Sequence, residues 1–267
     1  MTDKQTLKPA LTIWNGPYQT WVEACSAAKS HNVAQPAFTS EQWLQRITQQ
    51  LLDYRNEFRQ YTIAQPPRPC NLPWVVALTS PRSIVDFGGS SGWAMDYLQN
   101  TLTTHKINSY AIVELESVVK YMQSSGLHGD VVSYQTLDNP LEPCDLLYSN
   151  SVLQYFESNA PLMALIESAT PEYIFLEDLY AKGEEDFFGS QNYYDQAMPF
   201  KFIGLGDLLK ELSSIGYQQL LQCPYTSPIH GVIKPLPMEN YPETFQLHHS
   251  LSILLKKAPQ WKSQNVH

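Results

Sequence analysis

The residues with the clearest chemical meaning form a loop, Asp86-Phe87-Gly88-Gly89-Ser90-Ser91-Gly92, between a short apolar run and a helical stretch that begins at Trp93. Glycine has no Cβ atom, so the backbone of this loop can approach a ligand closely and adopt angles that other residues resist. A helix that follows such a loop presents free N–H groups at its first turn. The loop is therefore suited to a polar cofactor that carries a carboxylate.

The spacing of the glycines separates two classes of cofactor. The dinucleotide fingerprint requires Gly-x-Gly-x-x-Gly, but from Gly88 the third position is Ser90, and no other register supplies three glycines. A nicotinamide dinucleotide is therefore disfavoured. The loop resembles the acidic-x-Gly-x-Gly-x-Gly pattern of class I methyltransferases, which it matches at Asp86, Gly88 and Gly92. Ser90 occupies the place of the middle glycine, and Gly89 lies one position before it.

A second acidic residue, Glu114, ends the next predicted strand, Tyr110-Ala111-Ile112-Val113-Glu114. Its distance from the loop leaves room for one helix between two strands. A carboxylate at this position can accept hydrogen bonds from both hydroxyls of a ribose. We therefore interpret Glu114 as a ribose-binding residue.

Further motifs extend the resemblance over most of the chain. The segment from Asp145 to Phe156 resembles the fourth strand of class I methyltransferases and the loop after it. Together with the Trp14 to Trp21 segment, and with Gln191-Asn192-Tyr193 before Pro199-Phe200-Lys201-Phe202, it makes the chain similar to a methyltransferase family encoded in bacterial lipopolysaccharide and O-antigen gene clusters. The resemblance is specific for the cofactor and weak for the methyl acceptor.

This resemblance implies S-adenosyl-L-methionine as cofactor and O-methylation of a carbohydrate or other small-molecule acceptor, in polysaccharide or lipopolysaccharide biosynthesis. The cofactor-binding residues that it implies are Asp86, Gly88, Gly89, Ser90, Gly92 and Glu114, with Ser149, Asn150 and Ser151 on the methyl-transfer side. Adenine is expected near Gln135 to Asp138. The predicted acceptor-binding residues are Tyr18, Trp21, Gln191, Asn192 and Tyr193.

A sugar hydroxyl is weakly acidic, so a general base would assist its methylation. The candidates are Glu177, Asp178, Tyr155 and His230. Glu177 and Asp178 rank first, because a predicted strand ends just before them, on the ligand face of an open α/β sheet. We interpret the His248-His249 pair as structural. No spacing demands a metal, so methyl transfer is predicted to proceed without one.

The elements that must position these residues alternate in the manner of βαβ units from about residue 76 onward. Five strands are predicted at Ser83–Phe87, Tyr110–Glu114, Val131–Tyr134, Asp145–Ser149 and Glu172–Leu176. Runs from Tyr217 to Leu221 and from Leu251 to Leu255 would complete seven, the latter as an antiparallel insertion. The predicted fold is α/β, a Rossmann-like seven-stranded, mostly parallel sheet within residues 76–267.

Residues 1–75 are predicted to form an N-terminal helical cap. The clearest helix starts after Thr39 or Ser40, either of which can cap it, and carries an apolar stripe from Trp43 to Phe58 at steps of three or four residues. The prolines from Pro66 onward end it. We expect this stripe to pack on the sheet domain, leaving Trp14, Tyr18 or Trp21 to face the acceptor.

Composition excludes several partners. A formal charge of −9 and no Lys/Arg cluster argue against nucleic acid. Four scattered cysteines without a CxxC pair argue against structural zinc and a disulfide framework, and so favour a reducing cytoplasm. The sequence contains no run of 18 consecutive apolar residues, so we expect no insertion into a membrane. The oligomeric state stays open.

Two alternatives to carbohydrate O-methylation also stay open. The 16 tyrosines and 6 tryptophans would suit an aromatic or amine metabolite, if several of them line the pocket. A catalytically silent binding protein could keep the same fold as a scaffold, because a fold and a cofactor loop do not fix the acceptor.

Overall fold

A computed structural model of the chain describes residues 12–31, 37–61, 66–67, 69–193, 196–225, 228–229, 232–233 and 235–259. Single helical turns of the tighter 3₁₀ type lie at Ala37–Thr39, Leu153–Tyr155 and Glu243–Phe245. The strands and helices in chain order are β1 (Trp14–Tyr18), α1 (Trp21–His31), α2 (Glu41–Tyr61), α3 (Leu72–Thr79), β2 (Ser83–Phe87), α4 (Trp93–Thr101), β3 (Ser109–Val113), α5 (Glu116–Ser125), β4 (Val132–Gln135), β5 (Leu146–Asn150), α6 (Ala160–Ala169), β6 (Tyr173–Leu179), β7 (Phe187–Tyr193), β8 (Gln196–Phe202), α7 (Leu205–Ser214), β9 (Tyr217–Tyr225), β10 (Pro228–Ile229), β11 (Val232–Ile233) and β12 (Ser250–Lys257).

The central sheet has seven strands in the order β4-β3-β2-β5-β6-β12-β9. The pairs from β4 to β6 are parallel, whereas β12 is antiparallel to both of its neighbours. This confirms the predicted Rossmann-like, mostly parallel sheet and its antiparallel last strand. Strands β2, β3 and β5 are apolar along most of their length because helices cover both faces of a sheet of this kind.

The two faces of the sheet carry different helices. Helices α2, α3, α4 and α5 contribute their apolar side chains to one core, and α6 and α7 contribute theirs to the core on the opposite face. The connection between β4 and β5 contains no helix. Because β2, β3, β5 and β6 are parallel, their carboxyl ends lie together at one edge of the sheet.

The predicted α2 helix is present. The Ser40 hydroxyl accepts the N–H of Trp43 at 3.2 Å, which caps the helix at its start. Trp43, Ile47, Leu51 and Tyr54 are buried on the α3–α4 side of the sheet domain. The stripe therefore packs against the sheet domain, as its spacing indicates.

The N-terminal segment also contains a strand that the sequence analysis did not predict. Strand β1 reads Trp-Asn-Gly-Pro-Tyr, which has the residues of a turn. It pairs with β7, and β7 and β8 form an antiparallel hairpin between β6 and α7, so the three strands make a second sheet in the order β1-β7-β8. Its partners come from about 170 residues later, so local patterning could not reveal it.

Strand β6 is longer than predicted, which corrects the position of the first-ranked base candidates. It continues through Leu179, where it still pairs with Leu251 of β12. Glu177 and Asp178 therefore lie inside a paired strand and are buried, not beyond its end. A strand end is set by the extent of its neighbour, and β12 is more than 70 residues away in sequence.

Two further findings bear on the predicted environment. All four cysteines, Cys25, Cys70, Cys144 and Cys223, are free thiols. Within the described ranges, no helix combines the length and apolar character that crossing a bilayer requires.

The second sheet depends on Trp14, which is 1% exposed and contacts the rings of Tyr180, Phe200 and Phe202. We expect Trp14→Ala to lower the free energy of unfolding by about 3–5 kcal/mol, because it empties a buried indole site. Trp74, which is 74% exposed, offers the control: Trp74→Ala should change it by less than about 0.5 kcal/mol. Denaturant unfolding measures both, and equal effects would contradict the assigned core.

Candidate functional site

The site lies where the strand order reverses. The chain runs from β2 outward to β3 and β4, and then returns to β5 on the other side of β2. The glycine loop follows β2, and Asn150 ends β5, so both lie above the crevice between these two strands. In open α/β sheets this crevice is where ligands bind.

The glycine loop folds directly over Asp86. Gly88 and Gly92 have φ angles of +73° and +76°, and Ser90, with φ +55°, is also in the left-handed region. A Cβ atom on Gly89 would lie 2.6 Å from the Asp86 Cγ atom. A side chain at Gly89 would thus collide with the carboxylate, and this explains glycine at a position one place from the expected pattern.

Asp86 lies beneath the loop and is 1% exposed. The Tyr110 hydroxyl donates a hydrogen bond of 2.6 Å to its Oδ2 atom. Burial raises the pKa of Asp86 from about 3.8 to about 7, although the Tyr110 hydrogen bond opposes this, and the nearby Glu114 charge adds to the rise. Asp86 therefore supports the loop from below.

Glu114 joins the loop to the end of β3. Its Oε1 atom accepts the N–H of Ser90 at 3.0 Å, and its Oε2 atom accepts the N–H of Leu115 at 2.9 Å. Burial raises the pKa of Glu114, and these two hydrogen bonds oppose the rise. A carboxylate oxygen has two lone pairs, so each oxygen can still accept one hydrogen bond from a ligand hydroxyl.

The residues at the end of β5 form the other side of the crevice. The Ser149 hydroxyl donates to the Phe87 carbonyl at 3.1 Å and so joins β5 to β2. Ser151, with φ +61°, donates its N–H to the Glu177 carbonyl at 3.0 Å. Ser149 is committed to the sheet, which leaves Asn150 and Ser151 as the residues able to face a ligand.

Two amide oxygens beside Ser151 are buried without a hydrogen-bond partner among the described residues: Asn150 Oδ1 and Gln154 Oε1. The NH₂ group of Asn150 donates to the Tyr148 hydroxyl and to Glu177, and that of Gln154 donates to the Ser151 hydroxyl at 2.8 Å. Each amide is thereby oriented, with its oxygen free. A buried acceptor left in this way is costly unless a ligand or water donates to it.

Glu177 orients Asn150 and is not placed as a general base. It is 0% exposed, and it accepts hydrogen bonds from the Asn71 N–H at 2.8 Å, the Tyr148 hydroxyl at 2.9 Å and the Asn150 NH₂ group at 2.9 Å. Burial raises its pKa, against these donors. With three donors around an enclosed carboxylate, it has no open approach to a ligand.

The other predicted base candidates are divided. Asp178, with φ +53°, is buried and accepts the Ser250 hydroxyl at 2.5 Å, so it links β6 to β12. Tyr155 is half-buried just after Gln154, and its hydroxyl donates to the Gln191 Oε1 atom at 3.0 Å. His230 lies outside the described residues. Tyr155 is the candidate that remains near the end of β5.

The predicted acceptor-binding residues fall at two ends of β7. Tyr18 pairs with Phe188 and Trp21 contacts its ring, both near the start of the strand. Gln191 and Tyr193 lie near its end, three to five residues or roughly 10–17 Å away. The structure therefore brings only the second pair next to Tyr155.

The hydrogen bonds of Asn192 indicate a structural function. It is exposed, its N–H donates to the Ile13 carbonyl at 2.7 Å, and its side-chain NH₂ donates to the Thr12 carbonyl at 3.1 Å. These contacts hold the segment before β1 against β7. Its role in acceptor binding stays a prediction.

Two residues of this region were absent from the sequence analysis. Phe38 contacts the rings of Trp43, Tyr155 and Tyr193, and thus closes an aromatic wall beside the end of β5. Gln154 lies within the segment from Asp145 to Phe156, but nothing in its sequence pattern indicates a role. Phe38 could have been found from the sequence, because an apolar residue just before a helix cap is a recognised packing signal. Gln154 could not, because its buried oxygen without a partner is visible only in the three-dimensional structure.

The predicted adenine region lies beside Glu114. Gln135 ends β4, the neighbour of β3, and its carbonyl accepts the Glu114 N–H at 3.0 Å. The Asn139 Oδ1 atom accepts both the N–H and the hydroxyl of Thr136, at 3.1 and 2.8 Å, and this closes the loop. Residues 135–138 therefore flank the position expected for a ribose on Glu114.

A separate cleft has a volume of about 500 Å³. It is lined by residues after β6, at the start of α7 and before β12, including His248 and His249. None of the predicted cofactor residues borders it. Among the residues that the structure describes, no group of three or more His, Cys, Asp or Glu side chains could hold a metal ion. Independence from metal stays a prediction.

The raised pKa of Asp86 makes stability depend on pH. The folded chain binds this proton at pH values where the unfolded chain, with a pKa near 3.8, has lost it, so stability should fall as pH rises from about 4 to about 7. In Asp86→Asn this decrease in the free energy of unfolding should disappear. We expect the wild-type decrease to be a few kcal/mol, since one pKa unit corresponds to about 1.4 kcal/mol. Urea unfolding at pH 5 and pH 8 measures this. The exposed control Glu142→Gln should keep the wild-type pH dependence, and an unchanged dependence in Asp86→Asn would refute the burial argument.

Comparison with known proteins shows which solved structures have a similar fold. No family model matches the sequence, and no curated protein is similar to it in sequence. Among solved structures, human N-acetylserotonin methyltransferase in complex with S-adenosylmethionine has a TM-score of 0.50 at 14% identity, over 89% of this chain and 66% of that chain.

Two others have lower scores. An S-adenosylmethionine-dependent methyltransferase from Mesorhizobium loti has a TM-score of 0.43 at 16% identity, over 66% of this chain and 91% of that chain. The glycopeptide N-methyltransferase MtfA, complexed with S-adenosylhomocysteine, has a TM-score of 0.47 at 10% identity, over 70% and 87%. At such identities a likeness bears on the fold alone. The chain has the Rossmann-like fold of S-adenosylmethionine-dependent methyltransferases.

Proposed function

We propose that this protein is an S-adenosylmethionine-dependent methyltransferase that acts on a small-molecule acceptor. The observation that carries the proposal is the arrangement at the β2–β5 crevice, where a glycine loop over Asp86 lies beside the oriented carboxylate of Glu114. The glycine spacing disfavours a dinucleotide, and the fold is one that methyltransferases use.

The residues present fit this cofactor by the chemistry of their donors and acceptors. Glu114 has spare acceptor capacity for two ribose hydroxyls. The amide oxygens of Asn150 and Gln154 are buried acceptors without a donor among the described residues, and they suit an ammonium group or another N–H or O–H donor. Gly88, Gly89 and Gly92 leave the backbone bare where a ligand would approach it.

When bound, S-adenosylmethionine supplies an electrophilic methyl group on a sulfonium sulfur. The chain has to place the acceptor in line with that group and to exclude water, and such positioning accounts for much of the acceleration of a two-reactant displacement. Asn150 and Ser151 would orient the reacting groups from β5. Tyr155, Tyr193 and Phe38 would form the aromatic wall on the acceptor side.

The acceptor that we propose is a carbohydrate or similar small molecule, methylated at oxygen, in the cytoplasmic steps of polysaccharide or lipopolysaccharide biosynthesis. Aromatic rings at the wall can cover the apolar face of a sugar ring, and Gln191 and Tyr155 offer polar groups to its hydroxyls. Of the four candidate bases, Tyr155 is the one whose position best fits that role. The free cysteines are consistent with a reducing compartment.

A second candidate acceptor is an aromatic or amine metabolite. The enclosure of Glu177 favours it, because the carboxylate that ranked first as a base for a hydroxyl is held by three donors inside the fold. A neutral amine already has a nucleophilic lone pair and can lose its proton after methyl transfer. Cofactor consumption with nucleotide sugars, phenols and primary amines as acceptors would distinguish the two candidates.

Calorimetry with S-adenosylhomocysteine tests the cofactor site. We expect Glu114→Ala to weaken binding tenfold or more, because it removes a charged acceptor for two hydroxyls and one hydrogen bond would contribute about 1.5–3 kcal/mol. Glu116→Ala is the matched control, since Glu116 is exposed on the first turn of α5 and pairs with Lys120. Equal affinities for wild-type protein and Glu114→Ala would overturn the cofactor assignment.

The acceptor side is tested by the two ends of β7. We expect Tyr193→Ala to lower the methyl-transfer rate by about tenfold or more with little change in cofactor affinity, because Tyr193 belongs to the aromatic wall beside Tyr155. Tyr18→Ala, at the other end of the strand, serves as the comparison and should have a smaller effect. Equal losses in the two variants would place the acceptor along the whole strand, as the sequence analysis expected.

A further inference from the structure

A polar chain runs from cap helix α2 to the back of the glycine loop. Arg55 of α2 forms a bidentate ion pair with Asp96 of α4, through its Nε and Nη2 atoms. Its Nη1 atom donates to the Leu127 carbonyl at 2.8 Å, and its Nη2 atom lies 3.3 Å from the His128 Nδ1 atom. A guanidinium held by so many partners has a fixed position.

His128 continues this chain into the loop. Its side chain is 6% exposed, and its Nε2 atom lies 2.7 Å from the Ser91 carbonyl oxygen. A carbonyl only accepts, so Nε2 carries the proton and donates. A guanidinium only donates, so Nδ1 accepts from Arg55. These two contacts require the neutral Nε2–H tautomer.

The charges around His128 are consistent with a neutral ring. Burial lowers the pKa of His128, and the Arg55 cation lowers it further, against the Ser91 hydrogen bond and the Asp96 charge. Tyr134, from β4, packs against the ring at a centroid distance of 5.9 Å. The proton on Nε2 is therefore available to Ser91 at neutral pH.

The contact is made on the side of the loop that packs against β3 and β4. A Cβ atom on Gly92 would lie 2.9 Å from each of His128 Nε2, Tyr134 Oη and Ile112 Cδ1, so these atoms form the wall behind the loop. The loop has three positive φ angles, one of them at a serine, and such a conformation persists only when its surroundings fix it.

We infer that His128 and Arg55 are positioning residues for the cofactor loop: they hold the Ser91 carbonyl from behind and join the loop to α2. This inference rests on the proposed function for the identity of the ligand. The hold on the loop itself is a property of the cofactor-free chain. The same contacts link the cofactor site to α2, the helix that begins beside Phe38 and Trp43.

The first test compares two substitutions of one side chain. His128→Leu removes the donor and leaves the Ser91 carbonyl without a partner, whereas His128→Gln retains an N–H donor of similar reach. We expect S-adenosylhomocysteine affinity to fall about tenfold in His128→Leu, as for a buried acceptor left unsatisfied, and less than about threefold in His128→Gln. Arg55→Lys, which loses the bidentate fork, should give an intermediate loss.

A control separates positioning from general stability. Ile47→Val trims a buried side chain on the same helix, away from the loop, and should lower the melting temperature without changing affinity. Affinities are measured well below every melting temperature. If Ile47→Val weakens binding as much as His128→Leu does, α2 contributes only stability and the inference is wrong.

A second readout needs no cofactor. Hydrogen exchange of the peptide that spans Gly88 to Gly92 should speed up in cofactor-free His128→Leu and stay at the wild-type rate in Ile47→Val. Nitrogen-15 spectra should show His128 as the Nε2–H tautomer. If wild-type protein fails to bind S-adenosylhomocysteine, the proposed function fails, and loop exchange still decides the positioning role. Unchanged exchange in His128→Leu would overturn it.

Discussion

The site depends on a buried carboxylate with backbone folded directly over it. Asp86 is the second-last residue of the central strand β2, and the glycine loop passes so close above it that no side chain fits at Gly89. Tyr110, from the next strand, donates to the same carboxylate and fixes it from the side. Burying an acidic group in this way is unfavourable, as the raised pKa of Asp86 shows. The loop geometry at the crevice follows from that one crowded contact.

A second buried carboxylate organises the opposite side of the crevice. Glu177 lies two strands from Asp86 and accepts hydrogen bonds from two segments: from Asn71 before α3, and from Tyr148 and Asn150 on β5. Its effect is to turn the Asn150 amide so that the oxygen has no hydrogen-bond partner among the described residues. Each side of the crevice is thus shaped from within by a buried acid. Residues that look catalytic from their type serve here to orient others.

The cap is joined to the site at two places, and its parts come from distant segments. Strand β1 pairs with β7, and near the end of β7 Gln191 accepts the Tyr155 hydroxyl while Tyr193 contacts Phe38. Phe38 lies just before helix α2, and the helix itself contributes Trp43 near its start and Arg55 in its second half. The aromatic wall contacts α2 at Trp43, and the glycine loop is linked to α2 through His128 and Arg55.

The sequence by itself determined the sheet, the place of the glycine loop after β2, the place of Glu114 after β3, and helix α2. Each of these is encoded by residues adjacent in the chain. The signals are the alternation of short apolar runs with helices, the glycine spacing, and an apolar stripe behind a serine cap. Tertiary structure alone decided the rest. Strand β1 has the residues of a turn and becomes a strand only beside β7. Glu177 was expected beyond the end of its strand and is enclosed, because β12 pairs further along β6 than local pattern can show. The free oxygen of Gln154 and the contact of His128 with Ser91 depend on packing between segments far apart in sequence, which no local pattern records.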